Sequence, residues 1–228
     1  MAVTVHEVAR ALPDIAVLRD RCRALAVLDA ILSPQWESRY YSFDSRWAHG
    51  EEMASMRNGS GDEYSIVFLA AGAFIRGFDH ESPMSPAFSE FGEVWPGVAD
   101  SVPEVFADCM SEPAFSFEGG LAATVCLWRQ RTDDRWHTGE IEFPAGPDPD
   151  GAHRLFAVLT DATPLAYRRF AEDYYEQRLD GAATADIHAL RPLTNDVVRR
   201  LNPELSIADL AEDLAQIGYP VRPDERQP

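Results

Sequence analysis

Lysine is missing: all 20 basic residues of this 228-residue chain are arginine. That excludes a lysine Schiff base, a Walker-type phosphate lysine and a lysine general base. Cysteine is scarce. Cys22, Cys109 and Cys126 are widely spaced in apolar surroundings with no CxxC, so buried free thiols are expected in place of a disulfide framework or a zinc site. No apolar run approaches the roughly 18 residues that a membrane-spanning helix needs. The start, MAVTVHEVARALPDIAVLRDRCRAL, has no basic n-region, apolar h-region or small-residue cleavage site, so a cytoplasmic location is expected. GxSxG, HExxH, GxGxxG and GxxxxGK[ST] are absent as well.

Positive charge as a whole is short. With 38 acidic residues the net charge is −18. Phosphate contacts need basic patches, so nucleic acid is not an expected partner, and no membrane is. Acidity of this size keeps molecules apart in solution. It also suits a surface matched to a basic protein partner, with fast and salt-sensitive association. The oligomeric state stays open. Against these shortages stand 46% hydrophobic and 11% aromatic residues, enough for a substantial core.

The apolar pattern gives an order of helix, strands, strands, helices. Ile15, Leu18, Cys22, Leu25, Leu28 and Leu32 recur at helical spacing, predicting a helix from Asp14 to Leu32 that Ser33-Pro34 stops. Residues 1–12 read as a short lead. Strands are predicted over Tyr40–Trp47, Glu52–Arg57, Tyr64–Ala70 and Ala73–Phe78, with NGSGD at 58–62 as a turn and a tight reversal at Ala71-Gly72. Tyr64–Ala70 has almost no polar alternation, so it belongs at the centre of the sheet. A short helix is predicted over Pro103–Cys109, a strand over Ala122–Gln130 and its hairpin partner over Trp136–Phe143. Further helices are predicted over Ala152–Leu159, from Pro164 to Leu179 with Gly181 as its stop, after Thr194, and from a capping box at Ser206 and Asp209 to Gly218. The fold class is α+β: an antiparallel sheet of five or six strands, with an N-terminal helix and C-terminal helices packed on it. One domain over 1–228 accommodates this, with a possible helical C-terminal subdomain at 152–220.

Two polar clusters flank the meander. Asp44 and Arg46 alternate on a strand with His49, Glu51 and Glu52 after them; Asp79, His80 and Glu81 follow the last strand of the hairpin. If strands 40–47 and 73–79 bring their ends together, a histidine and several carboxylates converge, as acid–base work or a divalent ion requires. The simpler reading is solvated strand ends with a structural ion pair at Asp44 and Arg46. The loop 58–63 lacks a phosphate-loop spacing and runs into Asp62 and Glu63, so a turn explains it. Trp47, Trp128, Trp136 and His137 are candidate binding residues if exposed; core packing accounts for them otherwise.

The wording of Gln35–Ser42, Met53–Phe68 (MASMRNGSGDEYSIVF), Gly77–Met84 (GFDHESPM) and Pro192–Pro203 (PLTNDVVRRLNP) resembles a family of uncharacterised bacterial proteins of about this length. The family carries no activity to transfer. The order of elements is also similar to that of the SMI1/KNR4-like (SUKH) immunity proteins, small acidic α+β domains, and that resemblance implies a protein-binding role.

Three functions fit the sequence: an acidic cytoplasmic interaction domain, immunity-like or regulatory; a hydrolase-like enzyme or metal site built from Asp44, His49, Asp79 and His80; or a small-ligand module lined by tryptophans. Neither a metal site nor a cofactor is indicated by motif.

Overall fold

Valine, isoleucine, phenylalanine and tyrosine concentrate between residues 63 and 78, and this is where the sheet is built. The protein's structure, a computed structural model, describes residues 2–117, 119–161 and 163–222. Strands β1 (Tyr41–Ala48), β2 (Glu51–Arg57), β3 (Glu63–Leu69) and β4 (Gly72–Phe78) form the meander. Two-residue strands β5 (Ser116–Phe117) and β6 (Gly120–Leu121) make a separate ribbon, and β7 (Val125–Gln130) returns to the sheet. The five-stranded antiparallel sheet runs in the order β1-β2-β3-β4-β7. Eight α-helices accompany it among the described residues: α1 (Val5–Ala11), α2 (Ile15–Leu32), α3 (Ala107–Met110), α4 (Ala152–Thr160), α5 (Pro164–Tyr174), α6 (Gly181–His188), α7 (Asn195–Leu201) and α8 (Ala211–Ile217). The fold is α+β, and none of the described helices is long and apolar enough to cross a membrane.

Contacts group the chain into two units. The first comprises residues 1–15 and 55–160, the second 16–54 and 161–228. Helix α4 therefore groups with β3, β4 and β7, and α5–α8 group with α2 and β1.

In the first unit, β4 lies between β3 and β7, with Ile66 opposite Ile75 and Ile75 opposite Leu127. Tyr64 through Phe68 are all buried, as expected of a strand covered on both faces. Arg76 is buried at the centre of β4. It donates to the Ala122 carbonyl and, 2.7 Å away, to the Glu63 carboxylate, and it lies over the Phe78 and Phe115 rings. Helix α1 was not expected in the lead. Its start is fixed by Glu7, whose carboxylate accepts from the Thr4 amide at 3.0 Å and the Thr4 hydroxyl at 2.7 Å. These bonds hold the Glu7 carboxyl down at about 2.

The strand predicted over Trp136–Phe143 does not form. One bridge, Trp128 with His137, replaces it. Beyond His137 the chain packs backbone to backbone against the loop at 95–101. A Cβ on Gly139 would sit 1.8 Å from the Gly97 carbonyl oxygen, and Trp95 Nε1 donates to the Glu142 carbonyl at 3.0 Å. These contacts occupy the segment in place of a ladder to β7.

In the second unit, Asp29 of α2 is fully buried and organises the core around it. It accepts from the Tyr40 and Tyr41 amides at 2.9 and 2.7 Å and from the Tyr167 hydroxyl at 2.5 Å. Tyr40, Phe170 and Tyr174 pack together beside it. Arg39 binds the Asp213 carboxylate and the Ser33 and Pro34 carbonyls. Helix α5 stops at Tyr174, short of the predicted Leu179, because the chain folds back so that Glu172 accepts from the Leu179 amide at 3.0 Å. Gly181 is the first residue of α6 and not the stop of α5: the Asp180 carboxylate caps the amides of Ala182 and Ala183. Thr194 caps α7 as predicted. Asp209 holds the Ser206 amide and hydroxyl in the turn that leads to α8.

Candidate functional site

Asn58 begins the site. Its side-chain oxygen accepts from the Ser60 and Asp62 amides at 2.8 and 3.0 Å, and its amide nitrogen donates to Asp62 Oδ2 at 2.7 Å. The β2–β3 turn thus folds over Asp62 and buries it. Strand β4 delivers Asp79 and His80 to the same place. The His80 amide donates to Asp62 Oδ1 at 3.1 Å, and His80 Nδ1 lies 2.7 Å from that oxygen. From the first turn of α4, Arg154 donates to Asp62 Oδ2 at 2.5 Å and to Asp79 Oδ2 at 2.7 Å.

The chain on either side fits this network closely. Gly151 has φ +74, and a Cβ there would stand 2.2 Å from Asp79 Oδ2, so glycine is required on both counts. Asp148 caps α4 through the amides of His153 and Arg154 at 3.0 Å each. Thr124 Oγ1 accepts from the Asp79 amide and donates to the Asp150 carbonyl.

Burial pushes the Asp62 carboxyl up, but the hydrogen bonds from His80 and Arg154 outweigh it and hold the group below its ordinary range. The bond to Asp62 raises His80 above its usual value. With Nδ1 on a buried carboxylate, His80 keeps 38% of its side chain exposed. A carboxylate behind a partly exposed imidazole is a proton-transfer pair. Ligand-type atoms of Asp62, Asp79 and His80 lie within 4.8 Å of one another, the spacing of a metal site. Here the Arg154 guanidinium lies on both carboxylates and supplies the positive charge itself.

The remaining predicted residues are placed elsewhere. Asp44 accepts from its neighbour's amide at Arg46 and, 3.1 Å away, from Gln216 of α8, so it secures a helix. Arg46 and His49 are exposed, His49 in the β1–β2 turn. Glu81 is exposed beside the network, and its amide donates to Asp79 Oδ1 at 3.0 Å. Trp128 and Trp136 are buried, and Trp136 Nε1 donates to the Pro13 carbonyl. Trp47 is half-buried. His137 is partly exposed, with Nε2 3.5 Å from Asp133. The thiols of Cys22 and Cys126 are pushed by burial up to about 12, which leaves them poor nucleophiles.

A second feature lies in the same unit. Between Arg76 and Arg129 the chain contains no arginine, yet it carries Asp79, Glu81, Glu90, Glu93, Asp100, Glu104, Asp108, Glu112 and Glu118. Nine of the protein's 18 surplus negative charges therefore sit in this stretch. Glu81, Glu90, Glu93, Asp100, Glu104 and Asp108 are exposed. Phe88 and Phe91, in the loop after the network, are 67% and 77% exposed. Beside them is a cavity of about 260 Å³ lined in part by Met84, Phe88, Glu93, Val94 and Trp95. In the second unit a cavity of about 710 Å³ lies at α6 and α7; Arg191 and Arg200 in its wall are paired with Asp186 and Asp180.

Asp62 was legible only as a turn residue, and no local signal marks Arg154 as its partner. The acidic stretch was visible to a windowed charge count. Comparison with protein-family models, with curated proteins and with solved structures finds no match to this chain.

Proposed function

We propose that this chain is a protein-interaction domain that takes a basic protein partner, in the manner of an immunity or regulatory protein. The observation that carries the reading is the stretch between Arg76 and Arg129, where six acids are exposed and arginine is absent. A surface of one sign steers a partner of the opposite sign and repels like-charged competitors. The likeness in element order to SUKH immunity proteins points the same way, and a cytoplasmic setting suits it.

The test begins with capture from native lysate at about 50 mM and about 500 mM salt, a range over which surface charges become screened. A basic protein is expected at low salt, binding the purified chain in calorimetry with an affinity that falls as salt rises. Absence of any basic partner, or affinity indifferent to salt, overturns the reading.

A second function rests on His80 and Asp62: an acid–base site acting with Asp79 and Arg154 nearby, in which Asp62 and Arg154 stand where the sequence set Asp44 and His49 beside Asp79 and His80. The observation favouring it is a partly exposed imidazole whose Nδ1 rests on a buried carboxylate. NMR titration is expected to place the His80 pKa above 6.5 and to lower it in Asp62→Asn. Hydrolysis of p-nitrophenyl phosphate or acetate that disappears in a folded His80→Gln variant supports catalysis. No turnover, or turnover unchanged in that variant, removes it. The interaction reading is preferred because Arg154 already closes the network on the carboxylate side.

A further inference from the structure

Building on the interaction reading, we propose that the partner docks on the loop from Pro83 to Pro96. One apolar side chain of a basic segment enters the cavity between Phe88 and Trp95, and its flanking arginines or lysines engage Glu81, Glu90 and Glu93. Three observations lead there.

The first is exposure. Phe88 and Phe91 leave most of their rings in water although the chain has a large core to receive them. Two such rings in one loop mark a contact surface, since aromatic side chains supply much of the energy at interfaces.

The second is order in the loop. Met84, Ser85 and Pro86 are buried, and Ser82 Oγ donates to the Pro149 carbonyl at 2.7 Å while accepting from the Met84 amide at 3.0 Å. Ser85 caps the 3-10 turn Pro86–Phe88, and Ser89 Oγ accepts from the Glu93 amide at 3.2 Å. Trp95 is tied to Glu142. Behind the loop, Asp79 and His80 are fixed by Arg154 and Asp62. A surface already held in shape loses less entropy on binding.

The third is charge and size together. A cavity of about 260 Å³ suits one side chain and is below the volume range of drug-sized ligand sites, which begins at roughly 300 Å³. Its margin is acidic: Glu93 lines it, Glu90 lies within the loop and Glu81 just before it in sequence. An apolar centre with a charged rim is the ordinary anatomy of a protein interface, and the rim selects a cationic neighbour.

The experiment uses the full chain labelled with 15N and a synthetic probe peptide, Arg-Arg-Trp-Arg-Arg, at low salt. Amide shifts are expected at residues 83–96. Affinity is expected to fall by about tenfold, the scale of a hot-spot residue, in Phe88→Ser/Phe91→Ser and in Glu90→Arg/Glu93→Arg. A thermal melt confirms that each variant is folded, and if one is not, the other decides. Replacing the probe's tryptophan with alanine is expected to weaken binding to a similar degree. Shifts confined to acidic residues outside the loop, or an alanine probe that binds equally well, overturn this docking site and leave the interaction reading intact. No binding of any probe at low salt overturns both.

Discussion

The melting temperature is expected to rise, on the order of 10 °C, as the pH falls from about 8 to about 5. Two buried carboxyls cause it. Burial raises Asp29 from 3.8 to about 6, against the opposing hydrogen bonds from Tyr167 and the Tyr40 and Tyr41 amides. Burial likewise raises Asp150 from 3.8 to about 6, although the Val5 and Ala152 amides bond it at 2.8 and 3.1 Å. For an acid whose folded value is raised, the stabilisation is complete below the unfolded value and is lost as pH climbs through the folded one. Each group then costs about 3 kcal/mol when ionised. His80 acts in the same direction, since a raised histidine also favours the folded state at lower pH. Further acidification reverses the trend. Glu7, Asp62, Asp161, Glu172, Asp180 and Asp209 are all held below their ordinary values, and what they contribute disappears as they protonate. A maximum near pH 5 follows. Thermal melts at constant ionic strength check it, and Asp29→Asn and Asp150→Asn should each flatten the slope between about pH 5 and 8. A melting temperature that is constant, or higher at the alkaline end, would contradict the burial argument.

Replacement of Arg76 by alanine is expected to destabilise the protein by about 3–5 kcal/mol, the sum of a large-to-small cavity in the core and one buried carbonyl left without its donor. Ser65 on β3 and Cys126 on β7 are its cross-strand neighbours, so the side chain leaves the middle of the sheet. Its loss deprives the Ala122 carbonyl of a donor and opens space beside Phe78 and Phe115. Glu63 is only partly covered and turns to water. Arg76→Met restores the volume and not the hydrogen bond. Its cost should therefore fall to about 1–3 kcal/mol, the desolvation penalty of one unsatisfied buried group. Urea titrations of the two variants separate these contributions. Equal losses in both would show that filling the space matters little, and a loss under about 1 kcal/mol in alanine would mean the carbonyl finds another donor.

How much of this was legible in the sequence depended on range. Strands β1 to β4 follow from β-branched and aromatic runs broken by NGSGD and by the Ala71-Gly72 reversal, all local signals. Helix α2 follows from its stripe. Helix α1 escaped because its pattern is only seven residues long, though Thr4 and Glu7 carry a capping-box spacing. Gly181 misled because glycine commonly ends helices, while the Asp180 before it was the stronger start signal. The missing strand at 136–143 depends on Gly97 meeting Gly139, a contact that no window of sequence contains. The polar network divides in the same way. Asp79 and His80 were singled out by position at a strand end, but Asp62 and Arg154 are 92 residues apart and are joined only by the fold.

Arginine placement has a practical corollary for proteolysis. Trypsin cuts here only after arginine, and the acidic loop lies on the fragment between Arg76 and Arg129. Arg76 is buried in β4, so that fragment is released only from molecules whose sheet has opened. Its accumulation during digestion at a fixed protease concentration thus times the opening of β4 without any label.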